Sequence, residues 1–226
     1  MNTFPTSRFF PPAETADRDG MVAVGGRLTP PWLLDAYRHG IFPWPFTSDV
    51  SLMTWWSPDP RAIIELDGFH ASRRLLRTCR SGKFSVTCDV DFPGVIRGCA
   101  SENGRAGASW LFPAMIQAYT RLFELGHAHS IEVWHNGLLA GGTYGVSLGG
   151  LFAAESKFYR VRDASKVALV YLVAHLLARG YRLFDIQQRT PHTARLGAVE
   201  IPRQVYLRRL QEAADLPVTF GTHLEY

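Results

Sequence analysis

Arg73, Arg74, Arg77, Arg80 and Lys83 form a basic run, with no acidic residue between Gly68 and Cys88. Residues three and four apart on a helix are neighbours, so Arg73, Arg77 and Arg80 share one face. Three guanidinium forks in a row can grip phosphate oxygens; the same pattern also describes a solvated helix face. Phe42, Trp44, Phe46, Trp55 and Trp56, with Trp110 further on, offer faces on which nucleobases stack, or else a packed core. Glu155 ends the apolar run GLFAA. A carboxylate there is expected to be partly buried, and a buried charge needs an ion-pair partner or a function. Asp185 and Gln187 stand two apart in RLFDIQ. In a strand such residues face the same side, so both are expected to project together, as a site or as a capped strand end. These residues describe a polar site in an apolar cleft and name no reaction.

The elements that must position these residues follow from local signals. Thr29, the Pro30–Pro31 pair and Gly40 bracket a helix whose apolar face holds Trp32, Leu33, Ala36 and Tyr37. The proline-rich stretch from Ser57 to Pro60 reads as a boundary, followed by a strand from Arg61 to Leu66. A basic helix is expected from about Ser72 to Cys79, a strand from Lys83 to Cys88 and a helical stretch from Pro93 to Cys99. SENGRAGAS is a polar, glycine-rich loop, and an amphipathic helix runs from Pro113 to Gly126. SIEVWHNG alternates and ends in Asn136-Gly137, the strongest short hairpin signal. Two further strands meet at Gly149-Gly150; then Asp163 or Ser165 opens an apolar helix that Gly180 closes. RLFDIQ is a strand behind it, and Pro202 starts a last helix carrying Tyr206, Leu207 and Leu210. Hairpins, one buried helix, one more strand and a final helix make an α+β chain. Acyltransferases that seat a substrate beside a splayed central sheet have this order.

The chain has 226 residues, 46% hydrophobic and 19% charged, with net charge +4. These values fall in the globular range, and the mild positive charge permits an anionic partner without requiring one. Cys79, Cys88 and Cys99 are odd in number and lack a CxxC pair, so neither a disulfide framework nor a structural zinc site is expected. A catalytic thiol stays open beside the plainer reading of small buried side chains. The N-terminus lacks the pattern of a signal peptide. The run Val167–Ala178 is too short to span a bilayer and contains His175. No membrane association and a cytoplasmic location are expected.

The segments AVGGRLTPPWLLDAYRHGIFPWPF, WWSPDPRAII, LGHAHSIEVW, ESKFYRVRDASKVAL and HTARLGAVEIPR, together with the Asp185–Gln187 pair, occur in one order. In this the chain resembles the leucyl/phenylalanyl-tRNA–protein transferase family from about Asp19 to Leu210. The resemblance implies a small N-terminal domain, residues 1–60. It also implies a GNAT-like acyltransferase domain, residues 61–226, with a mixed, mostly antiparallel sheet. Such enzymes move leucine, phenylalanine or methionine from tRNA to proteins beginning with Arg or Lys, marking them for degradation. The implied partners are aminoacyl-tRNA and those acceptor proteins, with no cofactor, no metal and a monomeric chain. Glu155, Asp185 and Gln187 match the catalytic centre. Trp44 and Trp110 match positions that hold the terminal adenosine, with Tyr119 close by, and Thr143, Phe152 and Lys157 belong to the aminoacyl pocket. Arg73, Arg77 and Arg80 match the cluster that grips the acceptor stem.

This chain departs from the family pattern at three residues and in the turn after Gln187, which reads QRTPHT, so that no residue there is carried over. Lys157 and Thr143 stand where pocket methionines are usual, and Ala154 replaces a glycine. Either Lys157 snorkels to solvent and the pocket keeps its preference, or the donor preference is changed. Two rival readings remain. An acetyl-CoA-dependent N-acetyltransferase would need an [RQ]xxGx[GA] loop before the Ser165 helix, and none is present. A non-catalytic RNA-binding adaptor would keep the basic helix and the tryptophans but has no reason to gather Glu155 and Asp185 in one cleft.

Overall fold

The computed structural model describes residues 6–102 and 109–226. Residues 103–108 of the glycine-rich loop, and 1–5, lie outside the described residues. In chain order come β1 (Met21–Val24), α1 (Pro30–Arg38), β2 (Phe42–Pro43), β3 (Thr54–Trp56), β4 (Arg61–Ile64), α2 (Arg73–Arg80) and β5 (Ser85–Cys88). Next are α3 (Phe92–Ser101), α4 (Pro113–Glu124), β6 (Ala128–His135), β7 (Leu138–Leu148) and β8 (Leu151–Tyr159). The chain closes with α5 (Ala164–Arg179), β9 (Leu183–Gln187), α6 (Pro191–Ala194), β10 (Ala198–Ile201) and α7 (Arg203–Ala214).

Two sheets form, a small one ordered β1-β3-β2 and a seven-stranded one ordered β10-β4-β9-β8-β7-β6-β5. The expected mixed, mostly antiparallel α+β architecture is present: β8 and β9 are the parallel pair, and the other registered pairs are antiparallel. Asn136 and Gly137 both take positive φ, 52° and 74°, as the tight turn between β6 and β7 requires. Ser72 caps α2 by accepting from Leu75 N–H, and Gly180 ends α5 in the left-handed region. Two features were not legible from local pattern. The aromatic-rich N-terminal segment pairs into a sheet of its own, and Ala198–Ile201 supplies β10, hydrogen-bonded to β4. Both use strands of four residues or fewer, too short for an alternating pattern to register.

Each face of the large sheet carries a core. One holds Ile63, Val95, Met115, Tyr144 and Leu210, and continues without a break into Phe10, Leu33, Tyr37 and Trp55 of the N-terminal segment. The other packs α5 over the sheet through Val167, Leu172 and Leu176 with Phe152, Phe184 and Phe220. Gly141 lets the start of α5 lie directly on β7, since a Cβ there would sit 2.8 Å from that of Ala164. Among the described residues no helix is long and apolar enough to cross a membrane, and no group of His, Cys, Asp or Glu could hold a metal ion.

Candidate active site

The site lies where the large sheet splits. β8 and β9 pair only from Leu151↔Leu183 to Ala153↔Asp185. Beyond that point β8 stays with β7 and β9 stays with β4, so the two strands part. Glu155 stands on one prong and Gln187 on the other. Their side chains bridge the gap, with Gln187 Nε2 donating to Glu155 Oε1 at 3.1 Å. That bond turns the amide nitrogen toward the carboxylate and leaves the amide oxygen for another donor.

Gln187 reaches this position through a local irregularity. The β4–β9 register shifts between Ala62↔Gln187 and Ile63↔Asp185, and Gln187 adopts a φ of 58°. A residue other than glycine in that region carries strain that the surroundings must hold. Asp185 holds it, because its Oδ1 accepts the Gln187 backbone N–H at 2.9 Å. The Gln187 backbone is thus tied to Asp185, which is 0% exposed and does not line the cleft. Asp185 receives Arg61 Nε at 2.9 Å, Arg61 Nη2 at 2.6 Å and the Tyr206 hydroxyl at 2.8 Å. Arg61 is itself buried. It lies against the rings of Phe42 and Tyr206, and donates to the Gly40 carbonyl at 3.1 Å. Burial pulls the Arg61 guanidinium down, but Asp185, Tyr206 and Glu155 together more than offset this and hold its pKa above the usual arginine value.

Glu155 has a second set of partners. The Tyr119 hydroxyl donates to Oε2 at 2.8 Å. The Tyr37 hydroxyl lies 2.8 Å from the Tyr119 hydroxyl, and the two share a hydrogen bond. Both phenols are buried, and burial together with the nearby Glu155 charge raises them well above the usual tyrosine range. They are donors, not bases. Burial at the foot of the cleft raises Glu155 to about 7, against the opposing hydroxyls of Tyr37 and Tyr119. A carboxyl with that value can hold or release a proton at neutral pH.

Above the network is a cleft of about 200 Å³, lined by Glu155 and Gln187, by Phe42 and Trp44 at one end, and by Thr143, Lys157 and Leu169. Trp44 is 42% exposed and stacks on Trp110, with ring centroids 5.3 Å apart. Trp110 in turn meets the edge of Tyr119. The Thr143 hydroxyl is committed to the Ser156 carbonyl at 2.9 Å. Phe152, expected in the aminoacyl pocket, is not there. It is 1% exposed and stacked on Phe220 in the core on the α5 face, because it alternates with Ala153 along β8. Arg73, Arg77 and Arg80 form an exposed face on α2, away from the cleft. The chain order hid Tyr37, Arg61 and Tyr206 from the sequence reading, although an arginine opening the apolar strand RAII was a signal for one of them. The thiols offer no alternative nucleophile, since Cys88 and Cys99 are buried and burial pushes Cys88 up to about 11.

The family described as Leucyl/phenylalanyl-tRNA protein transferase matches residues 63–211, and its N-terminal domain matches residues 26–59. The leucyl/phenylalanyl-tRNA–protein transferase of Solidesulfovibrio magneticus is 51% identical over 207 residues, covering 91% of this chain and 83% of that protein. The same-named protein of Nitratidesulfovibrio vulgaris is 49% identical over 213 residues, covering 94% and 90%. Among solved structures, a GCN5-related N-acetyltransferase from Kribbella flavida aligns with a TM-score of 0.38 and 12% identity, over 77% of this chain and 61% of that one. With half of its residues shared with such proteins over nearly its whole length, the chain belongs to the leucyl/phenylalanyl-tRNA–protein transferase family.

Proposed function

We propose that the chain transfers leucine, phenylalanine or methionine from tRNA to the α-amino group of proteins beginning with Arg or Lys. The observation that carries this reading is the Glu155–Gln187 bridge across the parted strands, beside the exposed Trp44 face. An aminoacyl ester is already activated. The attacking α-amine has a reference pKa of about 7.7–8.0, so a useful fraction is neutral in the cell and positioning supplies much of the acceleration. The Gln187 amide oxygen accepts a hydrogen bond from the amine and aims it at the ester carbon. As the N–C bond forms, the amine proton passes to the Glu155 carboxylate. Glu155 returns it to the ribose oxygen as the C–O bond breaks, leaving a peptide bond and deacylated tRNA. Asp185 and Arg61 hold Gln187 in place and touch no substrate. Trp44 and Trp110 form the stacking face for the terminal adenosine, and Arg73, Arg77 and Arg80 meet the acceptor stem. We assign the reaction to the cytoplasm, where charged tRNA is found, with the chain acting as a monomer and residues 1–60 as its N-terminal domain.

The test mixes purified protein with Leu-, Phe- and Glu-charged tRNA and a peptide beginning with Arg, and follows label into the peptide. Leu or Phe transfer is expected from the wild type, with a loss of about 10²–10³ in kcat for Gln187→Ala. Near-normal turnover of Gln187→Ala with an intact fold would remove Gln187 from the reaction. A second reading, a changed donor preference, rests on Lys157 lining the cleft; transfer of Glu alone would establish it.

A further inference from the structure

On the far side of Lys157 from the stacking tryptophans lies a second cavity of about 350 Å³. Its walls are Lys157, Arg162, Asp163, Ser165, Lys166 and His192, with Tyr159. Asp163 is the single acid among them, and it is already engaged. Arg74 of α2 grips both its oxygens, at 2.7 and 3.1 Å, and Lys166 approaches at 3.3 Å. The Arg74 hydrogen bonds hold the Asp163 carboxyl down at about 2. Committed in this way, the Asp163 side chain caps no N–H of α5, although its carbonyl accepts those of Lys166 and Val167.

One polar atom in the walls lacks a partner: His192 Nε2 is buried with no hydrogen bond. Ser165, in the same wall, is 6% exposed. Burial, then Lys157, Lys166 and Arg195, lower the His192 pKa, so the imidazole is neutral here and has a donor or acceptor to offer. A tetrahedral anion would meet these groups together.

The cavity shares lining residues with both neighbouring features. Lys157 is shared with the catalytic cleft. Arg162 and Asp163 are shared with a groove beside α2 that Arg77 and Lys83 line. A strand of RNA lying on α2, with its ester between Glu155 and Gln187, passes over it. We propose that this cavity binds a phosphodiester of the donor tRNA's single-stranded 3′ end, in the nucleotides preceding the terminal adenosine. The proposal rests on the transferase reading and gives Lys157, the departure from the family pattern, an anion to face. Lys157 then grips the donor's backbone and does not select its amino acid.

The test measures tRNA binding across a salt series for the wild type and for the double variant Arg162→Ala/Lys166→Ala, with intact tRNA and with tRNA lacking its last three nucleotides. The Arg162 side chain is 86% exposed, so its removal leaves the fold alone; a thermal melt checks this for the pair. With intact tRNA, we expect about a tenfold loss of affinity near physiological salt and a flatter salt dependence, as phosphate contacts disappear. With the truncated tRNA, we expect no loss. Equal loss with both RNAs would reduce the residues to general attraction, and no loss with either would leave the cavity without a role; both overturn the proposal. Inorganic phosphate should move the His192 ring resonance. If it does so while intact tRNA does not, the cavity is a free-phosphate site and the proposal falls. These readouts need no turnover, so a wild type that transfers nothing would overturn the transferase reading separately.

Discussion

Arg61 and the α2 arginines present one functional group in opposite surroundings. Arg61 is enclosed by two aromatic rings, a carboxylate and a carbonyl, and has a single available geometry. Arg73, Arg77 and Arg80 project from a single helix face into water. A charge in the first setting has lost its hydration and depends wholly on its partners. A charge in the second keeps its hydration, is screened by salt and contributes almost nothing to the fold. On the proposed function, the site has a rigid part that fixes where the ester must lie and a loose part that only attracts its carrier.

Breaking the rigid part should have the largest effect. Asp185→Ala leaves Arg61 buried without its counter-charge and is expected to cost about 3–5 kcal/mol, measured by urea unfolding. A cost near that of a surface change would mean that water or another carboxylate replaces Asp185. The next effect is on pH dependence. Folding raises the Glu155 pKa from an ordinary 4.5 to about 7, so the folded state holds this proton more tightly than the unfolded chain does. Stability is expected to fall as pH rises from about 4.5 to about 7, and turnover to rise as the carboxylate forms near 7. Glu155→Gln should remove both slopes and leave only the amine's own titration at higher pH. A wild-type rate that is flat from pH 6 to 8 would contradict the proton-transfer role. The smallest effect belongs to the loose part. Arg77→Ala should leave the melting temperature unchanged and lower the slope of log affinity for tRNA against log salt by about one. A stability change there would show that the α2 face is structural after all.

The sequence revealed different amounts of these two parts. The α2 arginines were legible because helical spacing is local: the run without acids fixes both the helix and its face. Glu155 and Gln187 were legible as polar groups at the ends of apolar strands; of the aromatics, Trp44 is an exposed face while Trp55 took the core alternative. Asp185 was legible as a polar group beside Gln187, but its burial against Arg61 and Tyr206 was not. Tyr37, Arg61 and Tyr206 went unseen because their partners are distant in the chain. The Tyr37–Tyr119 and Arg61–Asp185 bonds span 82 and 124 positions, and no local pattern encodes such a separation. Phe152 was misplaced for a smaller reason. It alternates with Ala153 on β8, and which side of the sheet is cleft and which is core was set by α5 packing over it.

The contacts around Arg61 also set an order of events during synthesis. Gly40 and Phe42 precede it on the chain, Asp185 follows far behind, and Tyr206 lies on the last helix. Until α7 has left the ribosome, the guanidinium lacks one of its flanking rings, and Asp185 lacks the hydroxyl that closes its coordination. Gln187, held by Asp185, is correspondingly unsettled. The strained turn at Gln187 is thus tied, through Asp185, to a hydroxyl that α7 supplies.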